Sequence, residues 1–125
     1  MTDIVKDAEN FVKEKFINHT PKGDKIDFTT SQIRKFLSSV NRIENRVMAE
    51  SETLSDDIAN EIRYLKIMLA YQTGRAEKAK KETRAFYNEL IPKIDKIGNS
   101  KKAFTEFARY VEAIVAYHKF YGGKD

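Results

Sequence analysis

The sequence predicts an all-α protein, a compact bundle of about five helices forming one domain over residues 1–125. Three observations carry this. Apolar residues recur at the i, i+3, i+4, i+7 spacing of amphipathic helices along most of the chain. Small hydroxyl or acidic residues stand where such runs begin. No segment alternates apolar and polar residues as a half-buried strand would, and no tandem repeat or low-complexity tract appears.

The first helix is expected over Thr2 to His19, with Asp3 as cap and Ile4, Val5, Ala8, Phe11, Val12 and Ile17 at helical spacing. Pro21, Gly23 and their charged neighbours then predict a loop over Thr20 to Phe28. The hydroxyls of Thr29, Thr30 and Ser31 announce a second helix, which buries Ile33, Phe36, Leu37, Val40, Ile43 and Val47. Its outer face is basic: Lys35, Arg42 and Arg46 stand almost in line, with Arg34 at the border between core and solvent. This line suits a run of phosphates, or a solvated face with Arg46 paired to Glu50.

Ser55 with Asp56 and Asp57 predicts the third helix, capped and with acids facing the positive end of its dipole. It buries Ile58, Ile62, Leu65, Met68 and Leu69 and is expected to stop at Gly74. Arg63 and Lys66 share one flank. Tyr64, Tyr71 and Arg75 share the other, where the rings either pack against the next helix or stack on bases. A fourth segment, Ala76 to Gly98, opens on Lys78, Lys80, Lys81 and Arg84. Pro92 lies inside it, predicting a kink or break near Leu90 to Pro92. Gly98, Asn99 and Ser100 turn the chain into the last helix.

That last helix, Lys101 to Tyr121, is expected at the centre of the bundle or at a subunit interface. Phe104, Phe107, Ala108, Val111, Ile114, Val115 and His118 fill one face. Tyr110, Tyr117 and Tyr121 widen it and Phe120 lies roughly opposite, so little polar surface remains. Tyr110, Tyr117, Phe120 and Tyr121 are the residues expected to hold partner subunits.

Composition narrows function. The 125 residues contain no cysteine, which removes disulfides and thiolate metal sites. No apolar run approaches the roughly 20 residues of a membrane span, and the N-terminus lacks the apolar core of a secretory signal. A cytoplasmic protein with no membrane contact is expected. Residues 1–62 hold 9 basic and 12 acidic side chains, and residues 63–125 hold 14 and 7. The basic half favours phosphate backbones, acidic proteins or anionic surfaces.

No catalytic constellation assembles, so the chain is not expected to be an enzyme or to need a metal or cofactor. His19 and His118 lie in separate segments, neither with a carboxylate or second histidine one turn away. Asp56 and Asp57 point about 100° apart on a helix and do not converge on one ion. No phosphate-cradling glycine loop is present.

Three stretches, FTTSQIRKFLSSVNRIENRV (Phe28 to Val47), EIRYLKIMLAYQTGR (Glu61 to Arg75) and FARYVEAIVAYHKFYGGKD (Phe107 to Asp125), resemble the small-subunit family of type III-A CRISPR effector complexes, the Csm complexes. The tail is the most specific piece. Residues 1–27 and 76–100 match only in helical pattern. The resemblance implies a noncatalytic helical subunit of a prokaryotic antiviral complex. It would contact guide (CRISPR) RNA and target RNA through basic side chains, beside the guide-binding backbone subunit, the large polymerase-like subunit and further copies of itself. The basic positions it picks out are Arg34, Arg42, Arg63, Lys66, Arg75 and Lys119; Lys35 and Arg46 join them from helical geometry. The rival reading is a protein-interaction scaffold with no nucleic-acid role.

Overall fold

Four of the five helix starts are made by side chains expected to make them. In the computed structural model, which describes residues 3–124, Asp3 accepts from the Lys6 amide and opens α1 (Ile4–Lys15). The proposed start at Thr2 lies outside the described residues. Thr29 opens α2 (Thr30–Val47) with a capping box, its hydroxyl accepting from the Gln32 amide and the Gln32 side chain accepting from the Thr29 amide. Ser55 opens α3 (Asp56–Arg75) and Ser100 opens α5 (Lys101–Phe120) with the hydroxyl alone, accepting from the Ile58 and Ala103 amides. Each cap satisfies a backbone donor that the helix itself leaves unpaired.

Four expectations are corrected. The first helix ends at Lys15, and residues expected to form its end and the following loop form an antiparallel hairpin of β1 (Ile17–Thr20) and β2 (Gly23–Ile26). Its register pairs Ile17 with Ile26 and Thr20 with Gly23, leaving Pro21 and Lys22 as a two-residue turn. Gly23, at φ +113°, supplies the left-handed turn that a side chain would resist. The Asn18 amide donates to buried Glu82 at 3.1 Å and to Asp27 at 3.0 Å, which ties the hairpin to the fourth helix.

Helix α3 passes through Gly74 and ends one residue later. Residues 76–79 are not helical, and Ala79 enters α4 (Lys80–Ile97) in the left-handed conformation at φ +54°. Finally, of the kink or break expected near Pro92 the break does not occur, and α4 runs through Pro92 as one helix. Proline removes the bond to the Asn88 carbonyl, but both residues are exposed and water can serve that oxygen.

The last helix is central, as its sparse polar surface required. It packs against α1, α2 and α4, while α3 packs against α2 and α4. Phe104, Phe107, Ala108, Val111 and Ile114 are buried along it. The loop between α2 and α3 is stitched to the turn between α4 and α5: the Leu54 amide donates to the Asn99 carbonyl at 2.8 Å and the Lys101 amide to the Glu52 carbonyl at 3.0 Å. At the opposite end, Phe16, Phe28, Phe36 and Phe86 form a continuous cluster of edge-to-face and tilted rings, with centroids 5.2–6.2 Å apart.

His118 completes that cluster, and the C-terminal tail closes over it. The ring is fully buried against Phe16 and Phe28. A carbonyl can only accept, so Nε2 carries the proton and donates to the Phe28 carbonyl. Nδ1 has no partner. Gly122, at φ +110°, turns the chain so that Gly123 lies on the imidazole, where a Cβ would come within 2.2 Å of Cε1. The Gly123 amide donates to the His118 carbonyl at 2.8 Å, and the Lys124 carbonyl accepts from the Thr30 amide at 2.8 Å, so the tail reaches the start of α2.

This lock sets a pH dependence. Burial holds His118 below the usual imidazole value, with Lys119 adding to the effect and the Phe28 carbonyl opposing it. In mild acid the unfolded chain therefore binds more protons here than the folded one, and stability rises with pH. The contribution is complete above about pH 6.5 and is lost as pH falls from there through the lower folded value. Urea midpoints measured from about pH 7 down to about pH 5 should fall in the wild type, and His118→Leu should flatten that slope. An equal slope in both proteins would assign the effect to other groups.

Candidate nucleic-acid interface

Helices α2 and α3 share an outward surface whose composition is unusual for a solvated face. On α3, Tyr64, Ile67 and Tyr71 recur at i, i+3 and i+7 and are 60%, 56% and 66% exposed. The alternative of packing against the next helix therefore does not hold for these tyrosines. On α2, exposed Lys35, Arg42 and Arg46 follow the i, i+7, i+11 line. At 1.5 Å per residue that line is about 16 Å long, the reach of a few phosphates.

The two helices meet along this surface at both ends. At one end Arg46 pairs with Glu61 of α3, in place of the expected Glu50. At the other, Lys35, Phe36, Met68, Tyr71, Gln72 and Arg75 line a groove of about 290 Å³. Buried Phe36 forms its apolar floor. The Arg75 guanidinium stands over the Tyr71 ring, 5.5 Å from its centroid. The Gln72 amide nitrogen donates to the Gln32 carbonyl at 2.7 Å, which fixes that side chain and leaves its oxygen as an acceptor.

The eight basic candidates thus separate. Lys35, Arg42 and Arg75 lie on the α2/α3 surface with no acidic partner within ion-pairing distance among the described residues. Arg34 is exposed and likewise without an ion pair. Lys119 donates to the Gly123 carbonyl at 3.4 Å. Arg46 is neutralised by Glu61, Arg63 donates to the Asn60 side chain on its own helix, and Lys66 lies toward α4, paired to Asp95 at 2.5 Å.

Charge is also sorted along the bundle axis. The segments 13–35, 71–84 and 117–124, gathered at the hairpin end, hold 13 basic and 5 acidic side chains; the rest of the described chain holds 10 and 13. The sequence showed the basic excess by halves, but only the fold reveals that Lys15, Lys81 and Arg84 line one seam between α1 and α4.

The expected interface residues separate as well. Tyr110 is 5% exposed and is a core residue: its hydroxyl donates to Glu89, and Lys93 stands 4.8 Å from its ring centroid. Burial and that carboxylate raise its pKa. Tyr121 is half-buried and donates to Glu9, a bond that raises its own pKa. Half-buried Tyr117 stacks on it at 6.2 Å. Phe120 is 75% exposed and stands edge-on to Tyr121, leaving its ring free for a partner.

Among the described residues no group of three His, Cys, Asp or Glu could hold a metal ion, and no helix is long and apolar enough to cross a membrane. His19 is exposed and bonded to Asp24 at 2.6 Å; His118 is sealed in the core. The arrangement defines a small helical-bundle protein that offers a surface of cations and tyrosines. Comparison with known proteins places it further: a family model described as Csm2 Type III-A matches residues 1–124. Relatives called CRISPR system Cms protein Csm2 are 38% identical in Streptococcus thermophilus, over 94% of this chain and 95% of the relative, and 30% identical in Mycobacterium tuberculosis, over 98% and 94%. A third, in Enterococcus italicus, is 35% identical over 74% of this chain and 67% of its own length. The chain belongs to the Csm2 family, small subunits of the type III-A CRISPR Csm complex.

Proposed function

We propose that this subunit lines the path of the guide RNA and target RNA through its α2/α3 face, while the complex's chemistry resides in other subunits. The observation that carries the reading is the set Lys35, Arg42 and Arg75, cations without acidic partners beside exposed tyrosines on one rigid surface. Guide sequences vary, so such a subunit has to hold phosphates and sugars and leave base edges unread. Rigid helices bearing lysine and arginine suit that task. Each contact is weak alone and gains from an array of copies on one strand. Phe120, with Tyr117 and Tyr121 behind it, is the proposed contact to neighbouring subunits: further copies of this chain, the guide-binding backbone subunit or the large polymerase-like subunit. The setting is the prokaryotic cytoplasm.

Binding to single-stranded RNAs of unrelated sequence across a salt series tests this. Arg42→Glu should weaken binding about tenfold for every sequence and reduce the slope of log affinity against log salt by about one. Lys66→Glu should do less, since Lys66 is held by Asp95 on the other flank. Loss confined to one sequence, or an Arg42→Glu protein that binds like wild type with unchanged helicity, would remove the RNA role from this face. The protein-scaffold reading would then take its place.

A further inference from the structure

The α2/α3 groove has a chemistry that phosphate contact alone does not use. A surface that only neutralises a backbone needs cations and water. This one has an apolar floor of Phe36 and Met68, an exposed tyrosine as its wall, and a fixed amide beside it. Its volume of about 290 Å³ can admit a flat heteroaromatic ring. The cations stand at the rim, Lys35 on α2 and Arg75 on α3, where the phosphates flanking such a ring would lie.

We propose that this groove takes a single unstacked nucleobase of the bound RNA, its face against Tyr71 and its flanking phosphates on Lys35 and Arg75. The proposal rests on the RNA-lining role and specifies what one part of that surface binds. Stacking is compatible with variable guides because every base has a π-face, so affinity is gained with little sequence preference. Arg75 already occupies one approach to the Tyr71 ring, which polarises it and leaves the exposed remainder for the base. The free Gln72 oxygen can accept from a base amino or imino group without demanding a particular base. A paired base within an A-form duplex cannot enter, since its faces are covered by its neighbours. The groove therefore selects unpaired or displaced nucleotides.

The decisive comparison uses the full chain with oligouridine and with a ribose-phosphate strand of equal length that lacks bases. Wild type should prefer the base-bearing strand by roughly 5- to 150-fold, the range that stacking of one base on an aromatic side chain supplies. Tyr71→Ala should erase this preference, bringing the ratio of the two affinities to about one whatever the loss of the ring beneath Arg75 does to both, and Tyr71→Phe should keep it. Equal wild-type binding to both strands would overturn the base site and leave phosphate lining intact. Binding to neither strand at low salt would overturn both, and a preference that survives in Tyr71→Ala would place the base elsewhere.

Discussion

Phe86→Ala should cost about 3–5 kcal/mol of folding free energy, the usual penalty for removing a buried phenylalanine. Phe86 is fully buried and meets Phe16 at 6.2 Å, Phe28 at 5.7 Å and Phe36 at 5.6 Å. Those three rings come from the end of α1, the loop before α2 and α2 itself, so the cavity would open where three segments rely on one side chain. None can close it alone, because each is also held by its own backbone bonds. Phe16 and Phe28 flank the hairpin, so its protection against hydrogen exchange should fall with global stability. Denaturant unfolding followed by circular dichroism measures the loss. A cost below about 1 kcal/mol would mean that the neighbouring rings collapse into the space and that the cluster is not a shared anchor.

The sequence pattern read the helices well and the irregular segments poorly, for one physical reason. A helix repeats its environment every 3.6 residues, so α2 and α5 announced both their caps and their buried faces. Phe28 lies outside any helical run and nothing periodic marks it, while Phe16 falls at the very end of α1, where the expected helix put Ile17 on the buried face instead; both are fully buried. The hairpin escaped for a related reason. Its strands have four residues each, and of their side chains only Ile26 is buried, too few for an alternation to show. The left-handed Ala79 was likewise invisible, since that conformation usually selects glycine or asparagine. At Pro92 the break, though not the kink, of the expected pair is excluded, because the residue's exposure makes the lost hydrogen bond cheap.

The candidate site was legible by residue type but not by partner. The line of Lys35, Arg42 and Arg46 was visible on a helical wheel, yet only the packing of α3 brings Glu61 to Arg46 and Asp95 to Lys66. The groove that joins Lys35 to Tyr71 and Arg75 crosses two helices, and spacing within one helix cannot show it. Tyr110 illustrates the converse. It shares an edge with Tyr117 and Tyr121, but α1 and α4 close over its turn and Glu89 takes its hydroxyl.

The tail offers the sharpest test of how a glycine and a histidine depend on each other in this fold. His118→Ala should cost about 3 kcal/mol, from the cavity and from the Phe28 carbonyl left unpaired. Gly123→Ala should cost about 1–3 kcal/mol, because its Cβ would meet an imidazole held by Phe16 and Phe28. The double variant should cost clearly less than the two together. Removing the ring makes room for the methyl group, so the clash disappears with its partner. Coupling of about 1 kcal/mol or more in this cycle identifies the glycine as selected by the histidine's ring. Additive costs would instead mean that Gly123 matters only for its own backbone. In either case the AYHKFYGGK segment is explained largely by folding: it seals the aromatic cluster and, through the Lys124 carbonyl, meets the start of α2, the helix that carries Lys35 and Arg42. The tail thereby supports α2 and the face proposed to meet RNA, and it leaves Phe120 exposed beside it.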